Sequence, residues 1–380
     1  MASLIIHRGT KEIGGSAIEL KSENQRILLD IGKPLVFGGE PFNSRELNAT
    51  GQELVSKRIL PNIKGLYSWD KKGFDAVIVS HAHLDHYGFA NFVNPQIPLY
   101  VSKGTRKLIE ISQRFIGVEK IETKFFEFEM YKTFKIGRFT ITPYLMDHSA
   151  FDAAAFEICF DGKVVIYTGD FRNHGRKAIC FDRFIERATK QADIFLTEGS
   201  MLGRVDEEVP TEVALELRIA KEAEAIDGIV LFQCSSQNID RLVTFYKAAV
   251  RSKRLFIVDV YTANVLAELR ALGNNLPYPS KEYPNIKVYF PYHLTQKIFK
   301  KIGSQYAKAF SDYYISREKI GQKQSEILMI VRPSIQGYLE RIPHLNNGLF
   351  IYSLWSGYRE QESQVRFEKY LNNLTCAKTM

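Results

Sequence analysis

The sequence predicts an α/β protein of two lobes, a β-rich layered domain followed by a doubly wound one. Three observations lead there. Up to residue 200 the chain is a succession of short apolar or alternating runs closed by Gly, Asp or Ser, the mark of strands. From about residue 211, segments of helical spacing alternate with apolar strands, a rhythm that right-handed crossovers turn into a parallel sheet covered on both faces. The third is composition: 380 residues with 45% hydrophobic and 25% charged side chains describe an ordinary globular chain, which excludes disorder, collagen-like repeats and integral membrane proteins.

In chain order, SLIIHRG, SAIELKS, QRILLDIG, DAVIVSH, PLYVSKG, FTITPYLMDH, AAFEICF, KVVIYTGD and DIFLTEG read as strands. Among them TRKLIEISQRFI reads as a helix, with Leu108, Ile109, Ile111 and Phe115 on one face. In the second lobe, expected over residues 205–340, TEVALELRIAKEAEAI, QNIDRLVTFYKAAVRSK, YTANVLAELRAL and LTQKIFKKIGSQYAKAF have helical spacing, with GIVLFQCSS, RLFIVDV, NIKVYF and EILMIVRPS as the strands between them. GLFIYSLWSGY then adds a strand and EQESQVRFEKYLNNL a closing helix.

MASLIIHRGTKEIGG has no basic start followed by an apolar stretch and cleavage site, and no run reaches the length of a spanning helix, so a cytoplasmic protein is expected, without a membrane partner. Cys159, Cys180, Cys234 and Cys376 form no Cys-x-x-Cys pair; they read as buried thiols, neither a disulfide framework nor a thiolate zinc site. The formal net charge of +8 permits a polyanionic partner without requiring one.

The chemistry concentrates in His81-Ala82-His83-Leu84-Asp85-His86, directly after the strand DAVIVS. Imidazole and carboxylate groups are ligands for zinc or a similar divalent ion. With extended backbone at His81 and His83, their side chains share a face, while a turn at Asp85 and His86 aims that pair elsewhere, so the spacing favours two neighbouring metal sites. Two later strand ends match: MDHS places His148 beside Asp147, and YTGD places Asp170 after Gly169. Strand ends gathered on one sheet edge are where such ligands collect.

The order His-x-His-x-Asp-His, a lone His, then Thr-Gly-Asp resembles the metallo-β-lactamase fold superfamily of metal-dependent hydrolases, over residues 1–200 and including LLDIG around Asp30. The resemblance implies an αββα sandwich with the site on one edge. It implies that His81, His83 and His148 hold a first metal, that Asp85 and His86 hold a second, and that Asp170 bridges them; zinc is the expected ion, manganese the alternative. Asp85 would also orient the attacking water, with Asp30 and Asp147 fixing a histidine tautomer. Thr197-Glu198-Gly199-Ser200 before an α/β insertion resembles the β-CASP branch, which includes RNase J-like ribonucleases and the nuclease subunit of the mRNA 3′-end cleavage machinery. Carried onto this chain, that branch implies Glu198 as a proton-relay carboxylate and Arg241, in QNIDRLVTFYKAA, as a phosphate contact. ILMIVRPS, with Arg332 as a second substrate contact, resembles the strand leading back to the hydrolase domain, which residues 341–380 are expected to rejoin.

The family also carries a late His-x-Ser-Gly-His element, and none of the eight histidines here lies in such a context. The hydrolase domain therefore reads as incomplete, with the second metal site weakened by a missing ligand. Lys297, Lys300, Lys301, Lys308, Arg317, Lys319 and Lys323 interleave with Tyr292, Phe299, Tyr306, Phe310, Tyr313 and Tyr314, a pattern suited to a nucleic-acid channel. The expected function is a two-metal phosphodiesterase acting on nucleic acid, RNA above DNA, with homo-oligomerisation open. The alternatives are a small-molecule ester, thioester or lactone hydrolase, and a catalytically silent nucleic-acid-binding or scaffolding subunit.

Overall fold

A computed structural model describes residues 2–379 apart from 11, 43–45, 47, 200–208 and 274, with the side chains of 41 and 375–379 also left aside. The chain divides into two compact units, 1–208 and 209–380. The boundary expected at 204/205 and Ser200 of the Thr-Glu-Gly-Ser string lie outside the described residues.

The first unit holds a two-stranded sheet, Val36–Phe37 with Glu40–Pro41, and two large ones. One runs in the order Ser3–Arg8, Ala17–Ser22, Gln25–Leu29, Ala76–Ile78, Leu99–Ser102, Phe125–Phe128. The other runs Ile194–Leu196, Lys163–Tyr167, Ala154–Phe160, Phe139–Leu145, Phe134–Ile136. Residues two apart on each strand face the same way, and this alternation builds the layer between the sheets. Ile18 and Leu20, Ile27 and Leu29, and Ala76 and Ile78 from the first sheet meet Phe139 and Ile141, Phe156 and Ile158, and Val165 and Tyr167 from the second. The opposite face of the second sheet, carrying Tyr144, Met146, Ala155 and Ile166, is covered by helix Ala178–Arg187 through Phe184. Helix Lys103–Ile111 packs on strands Leu99–Ser102 and Phe125–Phe128, its first turn capped by Ser102 Oγ, which accepts the Thr105 N–H at 3.1 Å. The architecture is the expected αββα sandwich, with all nine expected strands in place. Phe125–Phe128 and Phe134–Ile136 are two more, in a stretch where charged residues break up the apolar pattern.

The second unit is a six-stranded parallel sheet in the order Ile286–Tyr289, Leu255–Asp259, Ile327–Ile330, Val230–Gln233, Gly348–Tyr352, Thr375–Thr379. Ile327–Ile330, Val230–Gln233 and Gly348–Tyr352 are buried at every position, which explains their unbroken apolar runs. This corrects the expectation for residues 341–380. They do not rejoin the first unit, because Gly348–Tyr352 pairs with Val230–Gln233 and carries Thr375–Thr379 on its other side. The single helix expected at LTQKIFKKIGSQYAKAF is also broken. It divides into Tyr292–Lys297, a π-helical turn Ile298–Ile302, and Gln305–Lys308, parted at Gly303, whose φ of +140° no other residue takes easily. No described helix is long and apolar enough to cross a membrane.

Candidate metal centre

Strand Ala76–Ile78 ends just before the His string. His83 is extended, at φ −100° and ψ 145°, and the short helix Leu84–Tyr87 starts immediately after it, turning Asp85 and His86 as the spacing predicts. Two loops hold this turn. The N–H groups of Gly15 and Ser16 donate to the Asp85 carbonyl at 3.1 and 3.2 Å, and those of Ile31 and Lys33 donate to the carbonyls of His86 and Leu84 at 2.8 and 2.9 Å. A Cβ on Gly32 would sit 1.6 Å from the Asp85 carbonyl oxygen, so only glycine allows the 30–33 segment so close.

Three imidazoles converge. Nε2 of His81 and Nε2 of His148 each lie 3.2 Å from Nδ1 of His83. Burial is the leading cause that pushes all three pKa values down, furthest for His81 and His148, where the neighbouring imidazoles add to it. Three neutral rings with nitrogen atoms turned on one another form a donor set that a divalent cation satisfies and protons do not.

Around His86 the balance is reversed. Burial opposes its charge, but Asp170 and Asp30 raise its pKa well above the ordinary value. Its Nδ1 donates to Asp30 Oδ2 at 2.7 Å, and its Nε2 lies 3.3 Å from Asp170 Oδ1 and 3.7 Å from Asp85 Oδ2. Burial would raise the Asp170 carboxyl, yet His86 holds it well below the usual carboxylate range. Nε2 thus faces Asp170 across the place where a cation between them would stand.

Asp30 anchors this side. Fully buried, it accepts the Ser80 N–H at 2.7 Å, the Ser80 hydroxyl at 2.8 Å and the Tyr167 hydroxyl at 2.6 Å, besides His86. With Nδ1–H committed to Asp30, Nε2 is left to face Asp170, which is the tautomer control expected of this carboxylate. Ser80 and Tyr167 were not singled out in the sequence, although each immediately precedes a ligand-bearing segment.

Two sets of donor atoms lie mutually within 4.8 Å: His81, His83 and His148, and His81, His86 and Asp170. His81 is common to both sets, whereas the expected bridging residue was Asp170. Asp85 belongs to neither set and borders the second.

Other expected residues fall in different places. Asp147 does not fix a histidine. Its Oδ2 accepts the Gly175 N–H at 2.7 Å and its carbonyl accepts the Arg172 N–H at 2.8 Å, which ties the loop after Asp170 to the residue preceding His148. Glu198 braces the same loop, its Oε1 accepting the Phe171 N–H at 2.8 Å. Arg241 and Arg332 belong to the second unit and are each engaged by a buried carboxylate. Arg241 pairs with Glu212 at 3.0 Å and also donates to Ser353. Arg332 pairs with Asp259 at 2.6 Å and donates to Ser236 Oγ at 2.9 Å and Thr262 Oγ1 at 3.2 Å.

Residues 60–227 match a family described as a beta-lactamase superfamily domain. An RNase J-like protein of Methanocaldococcus jannaschii is 24% identical over 288 residues, covering 72% of this chain and 61% of that protein. Ribonuclease J of Mycobacterium tuberculosis is 23% identical over 274 residues, covering 70% of this chain and 46% of its own. The chain thus spans 61% and 46% of the length of these two relatives. A crystal structure of a protein of unknown function from Enterococcus faecalis V583 has the same fold, with a TM-score of 0.77 at 20% identity over 100% of this chain and 88% of that one.

Proposed function

The chain belongs to the metallo-β-lactamase superfamily, in its RNase J-like branch, and from that premise we propose that it is a metal-dependent hydrolase of phosphodiester bonds in RNA. The observation that carries this reading is the pair of donor sets sharing His81, one of neutral imidazoles and one bounded by carboxylate. Their chemistry fits zinc, with manganese as the alternative. His81, His83 and His148 would hold one ion; His86 and Asp170, with Asp85 at their border, would hold the other, because the neutral His81 ring has one lone pair to give. Divalent ions there supply Lewis acidity toward a phosphate oxygen and lower the pKa of water.

The protein's own groups then have distinct tasks. Asp30, with Ser80 and Tyr167, holds the His86 ring in one tautomer. Asp85, at the border of the second set, is placed to take a proton from an attacking water. Glu198 and Asp147 hold the loop after Asp170 in shape. The names of the relatives favour RNA, and the second unit, which we read as a β-CASP-like module, adds a surface suited to it. Lys300, Lys301, Lys308 and Lys319 are exposed there together with Tyr292, Phe299 and Tyr314. Exposed cations with exposed rings suit phosphates and bases. Arg241 and Arg332 we assign to positioning the strand ends of that unit.

The test is cleavage of a single-stranded RNA by the full chain supplied with Zn²⁺ or Mn²⁺. Cleavage is expected to fall by about 10³-fold or more in His83→Ala and Asp85→Ala, several kcal/mol of transition-state stabilisation. RNA cleavage that survives both substitutions, or turnover of esters and lactones with none of RNA, would overturn the proposal. Undiminished RNA binding by a metal-loaded chain that never cleaves would assign it to a silent subunit instead.

A further inference from the structure

In the second unit, the chain leaves strand Val230–Gln233 toward Leu255–Asp259, on one side of the sheet order. It leaves the two flanking strands, Ile327–Ile330 and Gly348–Tyr352, in the opposite direction. Right-handed crossovers therefore send these connections to opposite faces and open a crevice at the carboxyl ends of the strands. An open pocket of about 270 Å³ lies there, lined by Gln233, Pro333, Leu354, Tyr358, Gln361, Ser363 and Gln364.

Three features describe what would fill it. The lining carries no charged side chain, so the ligand part is neutral and not a phosphate. Two of its polar groups are buried amides in reciprocal contact. Gln233 Nε2 donates to Gln364 Oε1 at 2.7 Å; Gln364 Nε2 donates back to Gln233 Oε1 at 3.0 Å and to Glu368 Oε1 at 3.0 Å. In these contacts Gln233 keeps one amide hydrogen, and both amide oxygens keep a lone pair, a planar edge of donors and acceptors. Finally, the Tyr358 ring meets Trp355 edge-on with centroids 5.3 Å apart, and the two side chains are 38% and 44% exposed. A planar group with a π face and a hydrogen-bonding edge satisfies all three.

We propose that this cavity binds a nucleobase, stacked against Tyr358 and read along its edge by Gln233, Gln361 and Ser363. The choice of ligand rests on the nucleic-acid reading above, but binding here needs no metal and no hydrolysis.

The chain has two tryptophans, Trp69 and Trp355, so Trp69→Phe leaves Trp355 as the only indole reporter. The Trp69→Phe protein, stripped of metal by chelator, is titrated with AMP, CMP, GMP and UMP, with ribose 5-phosphate as the base-free control. A saturable change in Trp355 fluorescence is expected with at least one nucleotide, half-complete near roughly 1 mM or below, and none with the control. Tyr358→Ala should weaken that binding about tenfold, Tyr358→Phe should preserve it, and Gln361→Ala, at an exposed position, should weaken it without disturbing the fold. A short single-stranded RNA that binds more tightly than the monomers identifies RNA as the source of the base; a monomer that binds when the RNA does not identifies a free nucleotide.

The inference is overturned if no nucleotide gives a saturable change, if ribose 5-phosphate gives an equal one, or if folded Tyr358→Ala and Gln361→Ala bind as before. RNA cleavage without nucleotide-dependent fluorescence would reject the cavity alone. Nucleotide binding in a chain that never cleaves RNA would support the cavity and reject the hydrolase reading.

Discussion

Both units gather polar side chains at the ends of strands, but they balance charge differently. In the second unit two arginines each have their own buried carboxylate: Arg332 has Asp259, and Arg241 has Glu212. In the first unit, three imidazoles crowd one point, while His86 stands between two carboxylates. A charge-matched cluster holds a framework together. One whose nitrogen lone pairs and carboxylates all face a small volume is completed by a cation, and this separates a candidate centre from a structural network of the same residue types.

The largest stability effect should come from the matched side. Asp259→Asn keeps the cap on helix Val260–Arg270, where Oδ1 accepts the Thr262 N–H at 2.7 Å, but removes the charge facing Arg332. Loss of about 3 kcal/mol is expected in chemical denaturation, with metal content unchanged. A fall in bound metal would show that the two clusters are not separate in role.

On the unmatched side, Asp30→Asn should lower metal affinity about 10- to 100-fold in competition with a chromophoric chelator, because the tautomer of His86 is no longer enforced. Unaltered affinity would remove Asp30 from the account.

The smallest expected effect is away from both clusters, at Glu19. Burial would raise its carboxyl, yet the hydrogen bonds from His7 and Arg26 hold it down to about 2. The sign follows from linkage: with a folded value below the ordinary 4.5, its contribution is present above that pH and disappears as pH falls toward 2. Glu19→Gln should cost about 1.5 kcal/mol at neutral pH and flatten this acid limb. An unchanged acid limb would contradict the assignment.

The parts legible in the sequence were those where one local period decides the outcome. Alternation marked nine of the eleven strands of the sandwich, and the His-x-His-x-Asp-His string with two later strand ends marked residues that the structure brings together, with Asp85 at their border. What failed depended on three-dimensional partners. The ion pairs of Arg241 with Glu212 and of Arg332 with Asp259 join residues distant in sequence. Gly348–Tyr352 read as a return to the first unit because an apolar strand does not say which sheet it joins. The break at Gly303 was outweighed by the helical spacing around it. That His81 belongs to both donor sets, and that Ser80 and Tyr167 support Asp30, required the packing of the two sheets against each other.

The central claim is that His81, His83 and His148 form a donor set for a divalent ion, and metal analysis of substituted proteins tests it most directly. Purified protein supplied with Zn²⁺ or Mn²⁺ is measured for bound metal as the wild-type chain, as His83→Ala and as His81→Ala. The wild-type chain is expected to retain metal, and His83→Ala and His81→Ala are each expected to lose the ion of the imidazole set. A wild-type chain that binds neither ion, or a His81→Ala protein that binds as much as wild type, would contradict it.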